Sequence, residues 1–249
     1  MAKRSGMGQV LCVGGYDLSG DVGVVNEASS PRATQDMTGL NKTSVERSLL
    51  RGDGRLLFNN WFNDASNQEF PVLKALPTAD RQAVWGISNT LGDPACGLVC
   101  KQVNFDWAKR ANGEVEGSVD CLGNASPLEW GRMLTAGVDT HTGATNGSAV
   151  DDGAGAAPTT AGIRAYLQVL GVSGLTTVTV AIQDSADGST GWATILTFAA
   201  VTAARSVERK TATGTVRRYL RAITTGTFTA VDLIVMYQRG TAQDDESLA

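Results

Sequence analysis

A period of two runs through the second half of the chain and limits its fold more than any other feature. In residues 177–183, Val178, Val180 and Ile182 alternate with Thr177, Thr179 and Gln183. Successive side chains of a strand point to opposite faces, so such a segment sets its apolar groups against a core and its hydroxyls and amides in water. Further segments of strand character lie at 163–170, 193–198, 206–211, 216–223 and 231–237, separated by short turn-rich stretches. That regular spacing predicts a β-sandwich of the immunoglobulin-like or jelly-roll kind. With 29 Gly and only 18% charged residues, the composition favours strands and turns over long surface helices. A chain of 249 residues with 42% hydrophobic content holds enough apolar material for two cores. The polar stretch at 138–147 predicts the boundary, giving domains 1–142 and 143–240 and an acidic tail, 241–249.

The first half reads as a second mainly β domain, with one short helix and a long arm. Residues 9–16 predict a strand that bends at Gly14-Gly15, and 22–26 a second. Residues 27–53 are polar and weakly patterned, too long for an ordinary connection. Thr43-x-x-Glu46 matches a capping box and Gly52 is placed to close the short helix it would start. This segment predicts an arm that orders against a neighbouring subunit. In GRLLFNNWFNDASNQEFPVLKALP (54–77), Leu56, Phe58, Asn60 and Phe62 share one strand face and Leu57, Asn59 and Trp61 the other. Bulky apolar groups on both faces predict protein on both sides, with Leu57, Trp61 and Phe62 as candidate contacts between subunits. Phe70, Leu73 and Leu76 form a helical stripe ended by Pro77, predicting a helix over 67–76 that closes the core.

Strands follow at 81–87 and 95–106, the second with Val99, Val103 and Phe105 on one face against Gln102 and Asn104. Asn112-Gly113 marks a hairpin that returns through 114–122. There Glu114, Glu116, Ser118 and Asp120 share a face, with Val115, Val119 and Cys121 opposite. Two readings remain for the carboxylates, a solvated strand face and a functional acidic surface. Trp130 and Leu134 are the last expected core contributions of this domain.

The residues argue against several function classes. The formal charge is −4 and no basic run exceeds a few residues, which disfavours tight binding of nucleic acid. The glycines near Asp17 lack the GxxxxGK[ST] pattern of a phosphate loop. No segment reaches the roughly 18 apolar residues of a membrane span, and MAKRSGMGQ lacks the apolar run of a signal peptide, so synthesis and retention in the cytoplasm are expected. Cys96 and Cys100, four apart on a strand, would sit roughly 13 Å apart, too far for a disulfide. With Cys12 and Cys121 they are expected as small reduced core residues, and the lone His141 offers no zinc set. Asp184-Ser185-Ala186-Asp187-Gly188 is a turn without the pattern of an EF-hand calcium loop. Carboxylates two apart on a strand point in parallel and do not flank a substrate bond as in a glycosidase. No nucleophile motif is present, so no enzyme, cofactor or metal is expected. Trp192 and Tyr219 are the aromatics on which a saccharide would stack if the second domain were a carbohydrate-binding module.

GGYDLSGDV, LRGDGRLLFNNWFNDA, FPVLKALPTADR, KQVNFD and EWGRMLTAG, in that order, resemble the major tail tube protein of long-tailed, siphovirus-type bacteriophages. AYLQVLGVSGLTTVTVAIQDSADGSTGWATI and VRRYLRAITTG are similar to the β-sandwich domain often fused to it. The likeness spans most of the chain and contains no active-site motif. It implies a tail-tube sandwich or barrel that assembles into six-fold rings, which stack into a virion tube for DNA passage, with the C-terminal domain facing outward. Tape measure and tail terminator proteins would be partners, and phage DNA would cross the lumen without specific binding. It also implies that 27–53 is the arm between rings, with Arg32, Asp36, Lys42, Glu46, Arg47 and Arg51 as contacts, and that Glu114, Glu116 and Asp120 line an acidic lumen. A distal tail or baseplate ring is the alternative.

Overall fold

The computed structural model describes residues 7–153, 159–174 and 176–240. Along these the chain forms β1 (Val10–Val13), β2 (Tyr16–Asp17), β3 (Val22–Ser29), β4 (Arg32–Asp36), β5 (Arg47–Gly52), β6 (Arg55–Trp61) and the helix α1 (Glu69–Leu73). Then come β7 (Arg81–Gly86), β8 (Pro94–Gln102), β9 (Asp106–Lys109), β10 (Val115–Gly123), β11 (Glu129–Met133) and β12 (Asp139–His141). Two short strands, β13 (Thr145–Asn146) and β14 (Val150–Asp151), precede β15 (Ile163–Ser173), β16 (Thr177–Ser185), β17 (Ala193–Thr197), β18 (Val207–Ala212), β19 (Tyr219–Thr227) and β20 (Ala230–Arg239). The fold is mainly β, as the alternation predicts. The acidic tail lies outside the described residues.

Two compact units form, but not one after the other. The first contains Met1–Gly20, Gln82–Gly97 and Trp130–Ala249; the second contains Asp21–Arg81 and Leu98–Glu129. The expected boundary at 138–147 falls within the first of these units, where 139–141 and 145–146 are strand. β12 pairs with β20, and β13 with β19. His141, expected in a linker, is buried there with Nδ1 2.8 Å from Thr224 Oγ1.

In the first unit, β14–β19–β16–β17 pack against β18–β15–β20, both sets antiparallel. Val178, Val180 and Ile182 are fully buried between them, with Leu167, Val169, Leu233 and Val235 opposite. Each such aliphatic side chain contributes about 1.5–3 kcal/mol of transfer free energy. All six strands read from the second half are present. What period two hid is that β15 and β20 are buried on both faces. The other face of β15 carries Tyr166 and Gln168, which meet the N-terminal strands. Gly97 of β8 is there because a Cβ would come within 2.6 Å of the Tyr166 ring and 2.7 Å of Met236. Gln168, fully buried, accepts from Gly15 N at 2.9 Å and donates to Cys12 O at 3.0 Å and Gln82 O at 3.3 Å. Gly14 and Gly15, at φ 61° and 81°, make the tight two-residue turn between β1 and β2. Trp130, expected in a core, is instead exposed and meets Trp85 edge-on at 5.9 Å.

In the second unit, β6 lies between β3 and β10, and the far edge of β10 is shared end to end by β9 and β8. Leu56, Phe58, Val119, Cys121 and Cys100 form its core, closed by Leu73 of α1. Gln102 turns inward and donates to Leu73 O at 2.8 Å, while Val103, read as its core-facing neighbour, is exposed after the strand ends. The helix is five residues long where 67–76 was expected. Pro71 fits its first turn, but Leu76 precedes Pro77 and leaves the helical region at φ 39°, so Leu76 is exposed. All four cysteines are free and buried.

Candidate assembly surface

The arm is a hairpin. β4 and β5 pair only with each other, from Arg32 opposite Gly52 to Asp36 opposite Arg47. The capping-box helix is corrected: residues 43–46 are irregular and 47–52 are strand. At the tip Asp36 Oδ1 accepts from Thr38 N at 2.9 Å, which lowers the Asp36 pKa, and Thr38 Oγ1 accepts from Glu46 N at 2.9 Å. Lys42 and Glu46 pair at 2.9 Å. A tip stitched by its own polar groups holds its shape without a core.

Every residue from 31 to 53 except Ser48 is exposed. Met37 is 64% exposed, Leu49 63%, and Leu40 stands fully in solvent. Arg32, Arg47 and Arg51 have no acidic partner among the described residues. Over 32–52 the arm carries four basic residues against two acidic ones, on a chain of net charge −4. A two-stranded ribbon is marginal alone in water, and apolar groups arrayed on it stabilise nothing within the chain.

The arm springs from β3, whose outer edge is unpaired among the described residues. Two bulges, between Val22 and Val24 and between Val25 and Glu27, interrupt its pairing with β6. Such bulges twist an edge and limit indiscriminate pairing. Trp61 is exposed at the end of β6, where its indole covers Gly23; a Cβ on Gly23 would lie 2.8 Å from Trp61 Nε1. Leu57 is half-buried on the same face. Phe62 turns the other way, 4.9 Å from Phe70 and 5.5 Å from Trp107. With Phe105 these rings form a cluster around α1, yet Phe62 remains 45% exposed, close to the 43% of Trp61 and the 46% of Val24.

The face of Leu57 and Trp61 also carries the predicted acidic row, and its charges are largely answered. Arg55 gives Nε and Nη2 to the two Asp120 oxygens at 2.9 and 2.8 Å and Nη1 to Glu27 at 2.8 Å. Glu116 accepts from Arg110 Nε at 2.9 Å and Asn59 Nδ2 at 2.9 Å, and those bonds hold its pKa down. Asn26 extends the network to Asn59 at 2.8 Å. Only Glu114, beyond the strand, has no cation partner among the described residues. The structure thus brings Glu116 and Asp120 onto one face and leaves Glu114 at its rim. Period-two reading missed Arg55, Arg110 and Glu27, because their link to the row depends on cross-strand register.

On the other side of the same sheet a polar group is trapped. Glu69 is fully buried at the start of α1, bonded to Asn60 Nδ2, with its backbone N donating to Asp21 Oδ2 at 3.2 Å. Burial, and secondarily the Asp21 charge, push its pKa to about 8. Glu69 Oε2, Asn60 Oδ1 and Trp107 Nε1 have no partner among the described residues.

The proposed sugar-stacking aromatics are not bare. Arg221 covers Trp192 at 4.1 Å, and Arg218 lies 4.8 Å from the Tyr219 ring centre. The carboxylates of the 184–188 turn are also engaged: Asp184 is buried against Arg217, and Asp187 accepts from Thr190 Oγ1, Thr190 N and Ser189 N, which lowers its pKa. No helix of the described residues is long and apolar enough to cross a membrane.

No protein-family model and no curated protein matches this sequence. Solved structures similar to it include the following three. The tail of an empty gene transfer agent particle, refined with C6 symmetry, has a TM-score of 0.39 and 17% identity, over 51% of this chain and 98% of that one. The crystal structure of SPP1 Dit, described as a hub adsorption apparatus of phages infecting Gram-positive hosts, has a TM-score of 0.33 and 11% identity over 92% and 99%. The phage p2 baseplate in its activated conformation has a TM-score of 0.36 and 8% identity over 93% and 98%.

Proposed function

We propose that this chain is a structural subunit of a phage tail that assembles with copies of itself into rings, stacked as a tail tube. The observation that carries this reading is the β4–β5 hairpin, which buries nothing of its own and presents Met37, Leu40 and Leu49 to solvent. The interrupted edge of β3 and the surface indole of Trp61 supply a second contact, side by side within a ring. The ordered phrases that resemble tail tube proteins support reading that self-association as a tail tube. In this reading the face of Glu116 and Asp120 lines the lumen, its paired carboxylates leaving a weakly negative, hydrogen-bonded wall that does not retain DNA. Arg32, Asp36, Lys42, Glu46, Arg47 and Arg51 meet the next ring.

Negative-stain imaging of the purified protein over a concentration series tests the proposal. Tubes support it; single rings that never stack assign the chain to a distal tail or baseplate ring instead; a monomer at every concentration overturns it. The lumen is tested separately by Glu114→Lys with Glu116→Lys, which should leave assembly intact and impair DNA passage. Normal infectivity of a phage carrying both substitutions would contradict that face.

A further inference from the structure

Three arginines crowd the start of β19, and one differs from its neighbours. Arg217 gives Nε and Nη2 to Asp184 Oδ1 at 2.9 and 2.6 Å, and Arg218 grips both Asp151 oxygens at 2.6 Å. Arg221 instead gives Nε and Nη2 to the neutral Gln183 Oε1 at 3.0 and 2.8 Å. No carboxylate pairs with it among the described residues. Its guanidinium carbon lies over the Trp192 ring, 4.1 Å from the ring centre. Gln183 stands opposite both Arg221 and Thr194 in the register and donates to Thr194 Oγ1 at 3.4 Å. The row therefore crosses three strands on the face opposite the core-facing Leu220 and Ala222.

A guanidinium held by a neutral amide and an aromatic ring keeps its full charge and loses little freedom when it meets a ligand. Nη1 is uncommitted, and so is the indole Nε1 of Trp192 among the described residues. The geometry points to a binding site for one oxyanion, a phosphodiester or carboxylate, carried on an otherwise neutral sugar or polyol chain. Nucleic acid suits it poorly, because the adjacent Arg217 and Arg218 are neutralised and a track of phosphates needs several free cations. A neutral sugar also suits it poorly, because the guanidinium occupies the Trp192 face on which the sugar would stack. This inference is independent of ring assembly.

Isothermal titration calorimetry of the full chain tests it with a dextran oligomer bearing one glycerol phosphodiester, a dextran oligomer oxidised to one terminal carboxylate, the neutral dextran oligomer and a thymidine oligonucleotide. The expected result is binding of one or both anionic glycans, weakened by salt, and none of dextran. Arg221→Gln should weaken that binding by at least about tenfold, the loss of one charge-assisted hydrogen bond. Arg221→Lys, which keeps the charge without the fork, should fall between, with melting curves showing both variants folded. Absence of heat with both anionic glycans overturns the site. So does equal binding of dextran, stronger binding of the oligonucleotide, or unchanged binding by Arg221→Gln.

Discussion

Gln168 and Glu69 are both buried polar side chains, and their different satisfaction predicts opposite behaviour. Gln168 places all its hydrogen bonds on backbone of the β1–β2 turn and β7. Gln168→Leu fills the same space but strands Gly15 N without a partner, so chemical denaturation should show a loss of about 1–3 kcal/mol. Glu69 is held in its neutral form by burial and by Asp21, with a pKa near 8 against an ordinary 4.5. An acid whose folded pKa is raised stabilises least when ionisation is demanded of it. Stability is therefore full below about pH 4.5 and falls as pH rises through about 8. Glu69→Gln cannot ionise, and its melting temperature should lose that decline between about pH 4.5 and about 8. An identical slope in the variant would place the titration elsewhere.

At the scale of elements, the strands and turns that local chemistry dictates were legible. Alternation located all six strands of the second half, and Asn112-Gly113 located a hairpin, whereas Gly14-Gly15, read as a bend within one strand, closes a hairpin between β1 and β2. Elements decided by tertiary context were not. The 43–46 capping pattern lost to strand pairing of 47–52 with 32–36. A five-residue helix replaced the longer stripe because the residue before Pro77 could not stay helical. The acidic row was visible, but the arginines that answer it were not, since register is a property of the folded sheet. For the arm, exposure gives the prediction. Leu40→Asp with Leu49→Asp removes no buried contact, so the thermal unfolding of the subunit should change by no more than about 0.5 kcal/mol. The same pair should abolish higher assemblies in sedimentation velocity; undiminished assembly would remove the arm from the interface.

At the scale of the molecule, the two compact units do not follow one another along the chain, for a physical reason. β15 and β20 bury both faces, and the second face is covered by β1, β7 and the start of β8, which come from the other half of the chain. A strand covered on both sides has no alternation to announce its second partner. The second unit is thereby left with Asp21–Arg81 and Leu98–Glu129, and it carries the hairpin, the interrupted edge and the paired acidic face together. That concentration of unspent surface in one unit supports self-assembly as the chain's role. The most direct measurement is a cryo-electron microscopy map of the assembled protein, read at residues 32–52. The account predicts the β4–β5 hairpin lying against a neighbouring copy with Leu40 and Leu49 buried. A map in which copies associate while that hairpin stays in solvent would contradict it.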